Sequence, residues 1–498
     1  MSGSRRYRFG PLEDRGVVGP LRIGQVLVVG GAALVALVAL YLLRGWAGMG
    51  FALLVLGAGV AAIYLPFEGR TLEEWAPIAF RWALRSKEEK RGYRSASPGA
   101  GAQASEDGAA FECSLPGELA GLEMLEVPYK SDFVGVLRDA RAGTYTAAIA
   151  VRAGAFTLLD GAEQERKLDG WGSVLAGLAR DASPVRRLQW IERTLPAHGD
   201  ELASYFQRER DRAVPLDSGL VASYIELVEA AAPVTREHEI LLAIQIEERR
   251  AGREIRRLGG GAQAACKLLL REAENLAEQL SVAEVTVFGL LRARRYAAAI
   301  RDAFDPYGRQ SRARAGLADG EREGVDPALM GPVADEAGWS EYRTDSARHA
   351  TFWISAWPRT DVGPAFLTPL LMQTTALRTV AVCVEPVGHT TAIRKAEAAR
   401  TAEVAEEMQR ERQGFMTSAR VRRRQQAAAR REEELADGHA EMRFAGYVTV
   451  SAPSVAELER TVTEVEHAAA LSRLELQRLY GEQEAGFTFT LPLGRGLR

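Results

Sequence analysis

The sequence predicts an α+β protein: a two-helix transmembrane hairpin followed by two ferredoxin-like α/β units, each carrying a long helical insertion. Three observations predict it. Two uncharged apolar stretches of helix length lie near the N-terminus, separated only by Arg44, Gly45 and Trp46. The rest of the chain repeats one order of strand-like and helix-like patterns twice. Irregular, small-residue or charged stretches separate these blocks.

The hairpin occupies 23–65, with apolar runs at 23–43 and 47–65. Each run is long enough to cross a hydrocarbon layer of about 30 Å, and so short a break joins only antiparallel neighbours. Small residues such as Gly30, Gly31, Gly57 and Gly59 permit close backbone approach. Residues 1–22 bring Arg5, Arg6, Arg8, Arg15 and Arg22 to the first run, and Arg70, Arg81, Arg85, Lys87, Lys90, Arg91 and Arg94 follow the second. Against the lone Arg44 between them, this bias places both termini in the cytoplasm of a multi-pass bacterial inner-membrane protein. A cleaved signal peptide is the alternative, but the first run is too long and a second follows at once. Residues 66–94 read as an interfacial basic helix, with Trp75 and Trp82 as anchors at the headgroup level.

Residues 95–110 have the composition of a flexible linker. The first α/β unit is expected over 111–307, with strands at 144–151, 186–195, 238–247 and 284–289. Its helices are expected near 162–181, 199–231 and 262–280. An irregular linker, 308–336, precedes the second unit, 337–498. There the strands fall at 351–358, 379–387, 444–452 and 473–479, and helices at 363–374 and 454–471. Ser454 and Glu457 open the last helix as a capping box. A long helical arm, 389–436, is dense in Glu and Arg and broken at Gly414–Phe415, which suggests two antiparallel helices. Both halves read β-α-β, long helix, β-α-β, the element order of a split ferredoxin-like unit.

The chemistry classes are then narrowed. The chain has 498 residues, 63 basic against 66 acidic, and a net charge of −3, so no direct nucleic-acid binding is expected. Cys113, Cys266 and Cys383 are far apart, and the six histidines have no metal-ligand spacing. No GxxxxGK[ST], GxSxG, SxxK or HExxH occurs. Gly259, Gly260, Gly261 and Ala264 form GxGxxA, but RRAGREIRR separates them from the preceding strand, which favours a glycine-hinged loop over a pyrophosphate cradle. The arginines Arg249, Arg250, Arg253, Arg256 and Arg257 of that segment suit anionic lipid, an acidic partner or phosphate, or belong to a solvated loop. No catalytic residue, cofactor or metal is expected, and the sequence reads as a non-enzyme.

The C-terminal stretch 434–494 resembles the region before the motor domain in the TraC-like conjugation ATPase of type IV secretion. The likeness lies in Leu435, Ala436 and Gly438, in Ser454, Glu457 and Leu458, and in the closing Leu491, Pro492, Leu493 and Gly494. The N-terminal YRFGPLEDRGVVGPLRIGQ followed by a hairpin resembles the PrgI-like membrane subunits of conjugation machines. The layout as a whole is similar to EccE of type VII secretion. These resemblances imply a structural subunit of a secretion or conjugation apparatus, without a motor of its own. They imply membrane lipids, a separate secretion-type P-loop ATPase and other membrane subunits as partners in an oligomeric complex. The rival is a membrane-tethered, nucleotide-sugar-binding, glycosyltransferase-like enzyme; the lack of a DxD pair counts against it.

Overall fold

In the computed structural model the described residues are 23–84, 92–95, 110–152, 159–196, 236–312, 324–412 and 439–497, with a few single positions excepted inside and between these stretches. The N-terminal segment, most of the 95–110 linker, the helical region 199–231, residues 313–323 of the 308–336 linker and the return half of the long arm lie largely outside them.

Helices α1 (Ile23–Leu42) and α2 (Trp46–Tyr64) pack as an antiparallel pair. A Cβ on Gly59 would stand 2.8 Å from that of Ala32, so a side chain there would push the helices apart. Among the described residues α2 alone qualifies by length and composition to cross a membrane, over Trp46–Ile63; α1 contributes a shorter apolar run, Val28–Leu42. A two-stranded turn, β1 (Pro66–Phe67) and β2 (Arg70–Thr71), leads into α3 (Leu72–Leu84).

The body is a mixed α+β assembly around one antiparallel sheet. Its first half comprises β3 (Ala110–Glu112), β4 (Leu122–Tyr129), β5 (Asp132–Asp139), β6 (Thr144–Arg152), α4 (Gly161–Leu178), β7 (Val185–Pro196) and β8 (Arg236–Glu247). Then come α5 (Glu248–Arg257), α6 (Gly261–Val282), β9 (Thr286–Leu290) and α7 (Ala293–Phe304). The second half comprises β10 (Glu336–Ala337), β11 (Tyr342–Arg343), β12 (Arg348–Ala356), α8 (Thr368–Met372), β13 (Leu377–Pro386) and α9 (His389–Arg412). It ends with β14 (Met442–Ala452), α10 (Val455–Leu471), β15 (Glu475–Arg478) and α11 (Gln483–Thr488).

Each half arranges its four main strands alike. The order is β9-β6-β8-β7 in the first and β15-β12-β14-β13 in the second, so the fourth strand lies beside the first and the second forms the inner edge. The two inner edges then pair: Ile191 of β7 lies opposite Ala381 of β13. From that pair the ladder runs outward through Leu241, Ala150 and Gly289 on one side, and through Tyr447, Trp353 and Gln477 on the other. Both halves place a register irregularity where the first strand meets the fourth. Both also continue the first strand's free edge with a hairpin, Met124–Leu137–Thr146 in one and Ala337–Tyr342–His349 in the other. The repeat therefore extends to residue register. The β7–β13 pairing merges the halves into one sheet and removes two exposed edges.

Both faces of this sheet are covered. On one face α4 and α6 bury Ile149, Leu188, Leu242, Ile244 and Ile246, while α8 and α10 bury Phe352, Ile354, Val380, Val448 and Val450. Trp190 packs against both clusters and joins them across the seam. On the other face α7 and the C-terminal segment cover Leu137, Ala148, Ile191, Leu241 and Ala381. That coverage extends to residues that alternation would have turned to water. Gln189 Nε2 donates to Phe489 O (2.8 Å), and Gln189 Oε1 accepts from the backbone of Leu493 (3.2 Å) and Gly494 (2.8 Å). Gln245 donates to Leu493 O (2.8 Å), and the Tyr447 hydroxyl to Gly496 O (2.6 Å). Gly494, at φ +64, passes so close that a Cβ would lie 2.9 Å from the Gln245 amide.

Several expectations change. Residues 249–257 form the helix α5 rather than a solvated loop. The expected helix at 363–374 starts only at Thr368, because Pro369 is compatible only with a first helical turn; 373 and 374 lie outside the described residues. The hairpins β4–β5 and β10–β11 and the helix α7 were not anticipated. Within the arm, Ala392 and Ala396 of α9 pack on Leu435, and Arg400 pairs with Glu432, so 432–435 lie alongside α9; the expected break at Gly414–Phe415 lies outside the described residues. Ser454 Oγ accepts from Glu457 N (3.3 Å), capping α10 as expected.

Candidate interaction surface

The five arginines singled out in the sequence come together on α5. At about 100° per residue, Arg249, Arg250, Arg253, Arg256 and Arg257 share roughly one third of the helix circumference. Ala251 and Ile255 lie on the opposite side and are buried. All five arginines are exposed. Arg250 donates to Ser183 O (3.0 Å), and among the described residues none of the five has an acidic partner. The neighbouring acids are engaged elsewhere: Glu247 with Arg186, Glu254 with Arg271, and Glu248 with the Tyr145 hydroxyl. Burial and the Glu248 carboxylate push the Tyr145 hydroxyl up to about 12, so it stays a donor.

The glycines that resembled a nucleotide motif have a structural role here. Gly259 and Gly260 take positive φ (+105 and +76) and end α5, their N–H groups bonding to Arg256 O (3.2 Å) and Ile255 O (2.9 Å). Gly260 is also the N-cap of α6. Since β8 stops at Glu247, α5 fills the place where a tight strand-turn-helix crossing would need to be.

The tryptophans sit differently from the sequence expectation. Trp75 is only 8% exposed and stacks on Trp339 at 5.7 Å, while Trp82 meets Trp339 edge-on at 5.2 Å. Trp75 also lies 5.9 Å from Tyr480, and Glu482 receives both Arg70 and Arg81 at 3.4 Å. The indoles thus dock α3 on the second unit, and among its large apolar residues α3 turns Phe80 (65% exposed) and Leu84 (67%) outward. An amphipathic pattern alone did not distinguish these two sides, because aromatic rings occupy both. Trp339, Tyr480 and Glu482 carried no signal in the sequence that tied them to α3.

Buried charges elsewhere serve the fold. Arg378 is 1% exposed; it reaches Glu192 (3.6 Å) and Thr194 (2.8 Å) across the seam and Leu371 O within its own unit, and burial lowers its affinity for the proton. His238 Nδ1 lies 2.7 Å from the same Glu192. Around α7, Arg301 pairs with Asp345 (2.6 Å), and Arg309 with Asp302 (3.0 Å) and Glu237 (2.9 Å). Cys266 and Cys383 are free and buried, and burial pushes both thiols up to about 12, which leaves them protonated and unreactive. Cys113 lies outside the described residues. Among the described residues no group of His, Cys, Asp and Glu is arranged to hold a metal. A groove of about 520 Å³ runs between β15 and α10, lined by Glu459, Glu466, Glu475, Arg478 and Tyr480.

No family profile matches the chain, and no curated protein matches it.

Proposed function

We propose that the protein is a structural membrane subunit of a bacterial secretion or conjugation apparatus. Its paired α/β units, each ferredoxin-like in its strand order, present a cytoplasmic platform to a separate P-loop ATPase and to neighbouring membrane subunits. On this reading α1 and α2 span the inner membrane as a hairpin with both termini in the cytoplasm, and several copies assemble in one complex. The body works as a mechanical and docking element rather than as a catalyst.

The observation that carries this reading is the attachment of α3 to the body. The helix that follows the apolar pair is held by the Trp75–Trp339 stack, the Tyr480 contact and two arginines on Glu482. Force or displacement at the anchor is therefore transmitted to a single continuous sheet, which suits a platform. The test is affinity purification of the tagged, detergent-solubilised protein from its native cell, with mass spectrometry of the retained proteins. Recovery of a P-loop ATPase with other membrane subunits is the expected result. Recovery of the protein alone, under conditions that keep other membrane complexes intact, overturns it.

A further inference from the structure

The internal repeat shows what the fold does not need. In the second unit the third strand, β14, passes into α10 across only Pro453 and Ser454. In the first unit the equivalent connection, from β8 to α6, inserts all of α5 and the glycines that close it. The inserted helix carries a built-in electrostatic cost, since Arg249 and Arg253, Arg253 and Arg256, and Arg253 and Arg257 repel at adjacent helical positions. None of these arginines meets an acid among the described residues. Ala251 and Ile255 seat the inserted helix on the core, but its exposed arginine face serves neither that packing nor the helix itself and is explained by what it binds.

The position of α5 narrows the occupant. Starting at Arg478 of β15, one ladder row runs through Phe352, Val448, Val380 and Glu192 to Ile240 of β8. Beyond Arg478 the chain leads to Tyr480 and Glu482, which hold α3. Beyond Ile240, β8 runs the opposite way for seven more residues, roughly 24 Å of extended chain, and ends at α5. The anchor and the arginine helix therefore leave the sheet at opposite strand ends. The arm α9, which follows β13, leaves at the same end as α5. The contacts that hold the anchor lie at the first end, and α5, at the second, is assigned to a partner rather than to lipid. A second copy in the same membrane presents its acidic groove, beside β15, at the anchor end too. No aromatic side chain interleaves with the arginines of α5, as stacking on nucleic-acid bases would require.

We infer that the arginine face of α5 docks an acidic segment of a cytoplasmic partner protein at the strand ends opposite those that hold the anchor. The inference deepens the platform reading and rests on it for the sidedness of the membrane. Guanidinium forks on Arg249, Arg253 and Arg256 suit bidentate pairing with carboxylates.

The test places a benzophenone amino acid at Arg253 of the full-length protein in its native cell, with a control at Val282, which is exposed at the far end of α6. Irradiation is expected to yield a protein adduct from position 253 whose cross-linked peptide, mapped by mass spectrometry, has an excess of Asp and Glu. Position 282 should not yield it. Adding R249E and R256E should lower the adduct by at least about tenfold, whereas R249K and R256K should retain most of it. An adduct with lipid or nucleic acid, a partner peptide without acidic excess, or no adduct at all overturns the inference. If the same cells still yield the ATPase complex by affinity purification, only the docking inference has failed. If that complex is also absent, the platform reading has failed.

Discussion

Arg378 of β13 faces Glu192 of β7 across the junction of the two units, its guanidinium 3.6 Å from the carboxylate and out of contact with water. Such a pair adds little net stability compared with apolar residues of the same volume, but removing one partner strands the other charge. Arg378→Met should therefore cost about 3–5 kcal/mol, and the double variant with Glu192→Leu should recover most of it. Urea denaturation of the detergent-solubilised protein, followed by far-UV circular dichroism, measures both. Equal costs for the single and double variants would mean that the pair does not set the seam.

The C-terminal segment should hold the seam from the other face. Gln189 satisfies one carbonyl and two backbone N–H groups of that segment at once. Gln189→Leu orphans them in a buried layer, at about 1–3 kcal/mol for each group that water does not reach. The readout is earlier proteolytic release of the segment after Gly494, with little change in the anchor. If the segment is cut no faster than in the parent protein, the amide does not hold it.

Stability should also fall in mild acid through His349. This ring is buried against Phe487, bonded to Thr344 and Ser451 at 2.8 Å, and burial lowers its pKa to about 3. Unfolded, the same ring titrates near its ordinary value of about 6.5, so between these two values the unfolded chain binds the proton that the folded chain refuses. The contribution is fully present above the unfolded pKa and is lost as pH falls through that window toward the folded one. Melting temperature against pH should drop over this range, with a shallower slope in His349→Asn. Identical slopes would show that the ring charges without unfolding its surroundings.

Charge placed in the helix-covered face of the sheet should unfold the body. Ile244 is wholly buried in β8 between α4, α6 and the neighbouring strands. Ile244→Asp should cost at least about 4 kcal/mol, enough to abolish the cooperative transition seen by calorimetry. A variant that melts cooperatively at the parent temperature would refute the strand's orientation.

The alternation that makes Ile244 a sequence-level prediction also marks how far the sequence could be read. Strands such as 238–247 and 444–452 were legible because one face is apolar at every second position, and α10 because Ser454 caps it. Strand order within each half was suggested by element order, but the β7–β13 seam was not, since nothing in either strand alone names its neighbour. Alternation alone would turn Gln189 and Gln245 to solvent; they are buried because a segment 305 and 248 residues later lies over them, and its Leu-Pro-Leu-Gly run gives no hint of its site. The arginines were found by composition. Their helix was missed because its like charges argue against helix formation, and its support comes from burying Ala251 and Ile255.

On the proposed membrane reading, the number of crossings is the last consequence that can be decided directly. If α2 alone spans, residues before α1 and the α/β body lie on opposite sides of the membrane; if α1 spans as well, they lie on the same side. The packing of α1 on α2, with Gly59 against Ala32, and the arginines flanking both ends favour the hairpin. Single cysteines placed at Ser4, at Trp46 and at Glu341 should then react with a membrane-impermeant maleimide in intact cells only at the Trp46 position. Labelling at Ser4 as well as at Trp46 would show a single crossing by α2, with α1 outside the hydrocarbon layer. The body would remain cytoplasmic in that case, and the docking of α3 through Trp75 and Trp339 would still tie the one span to the sheet.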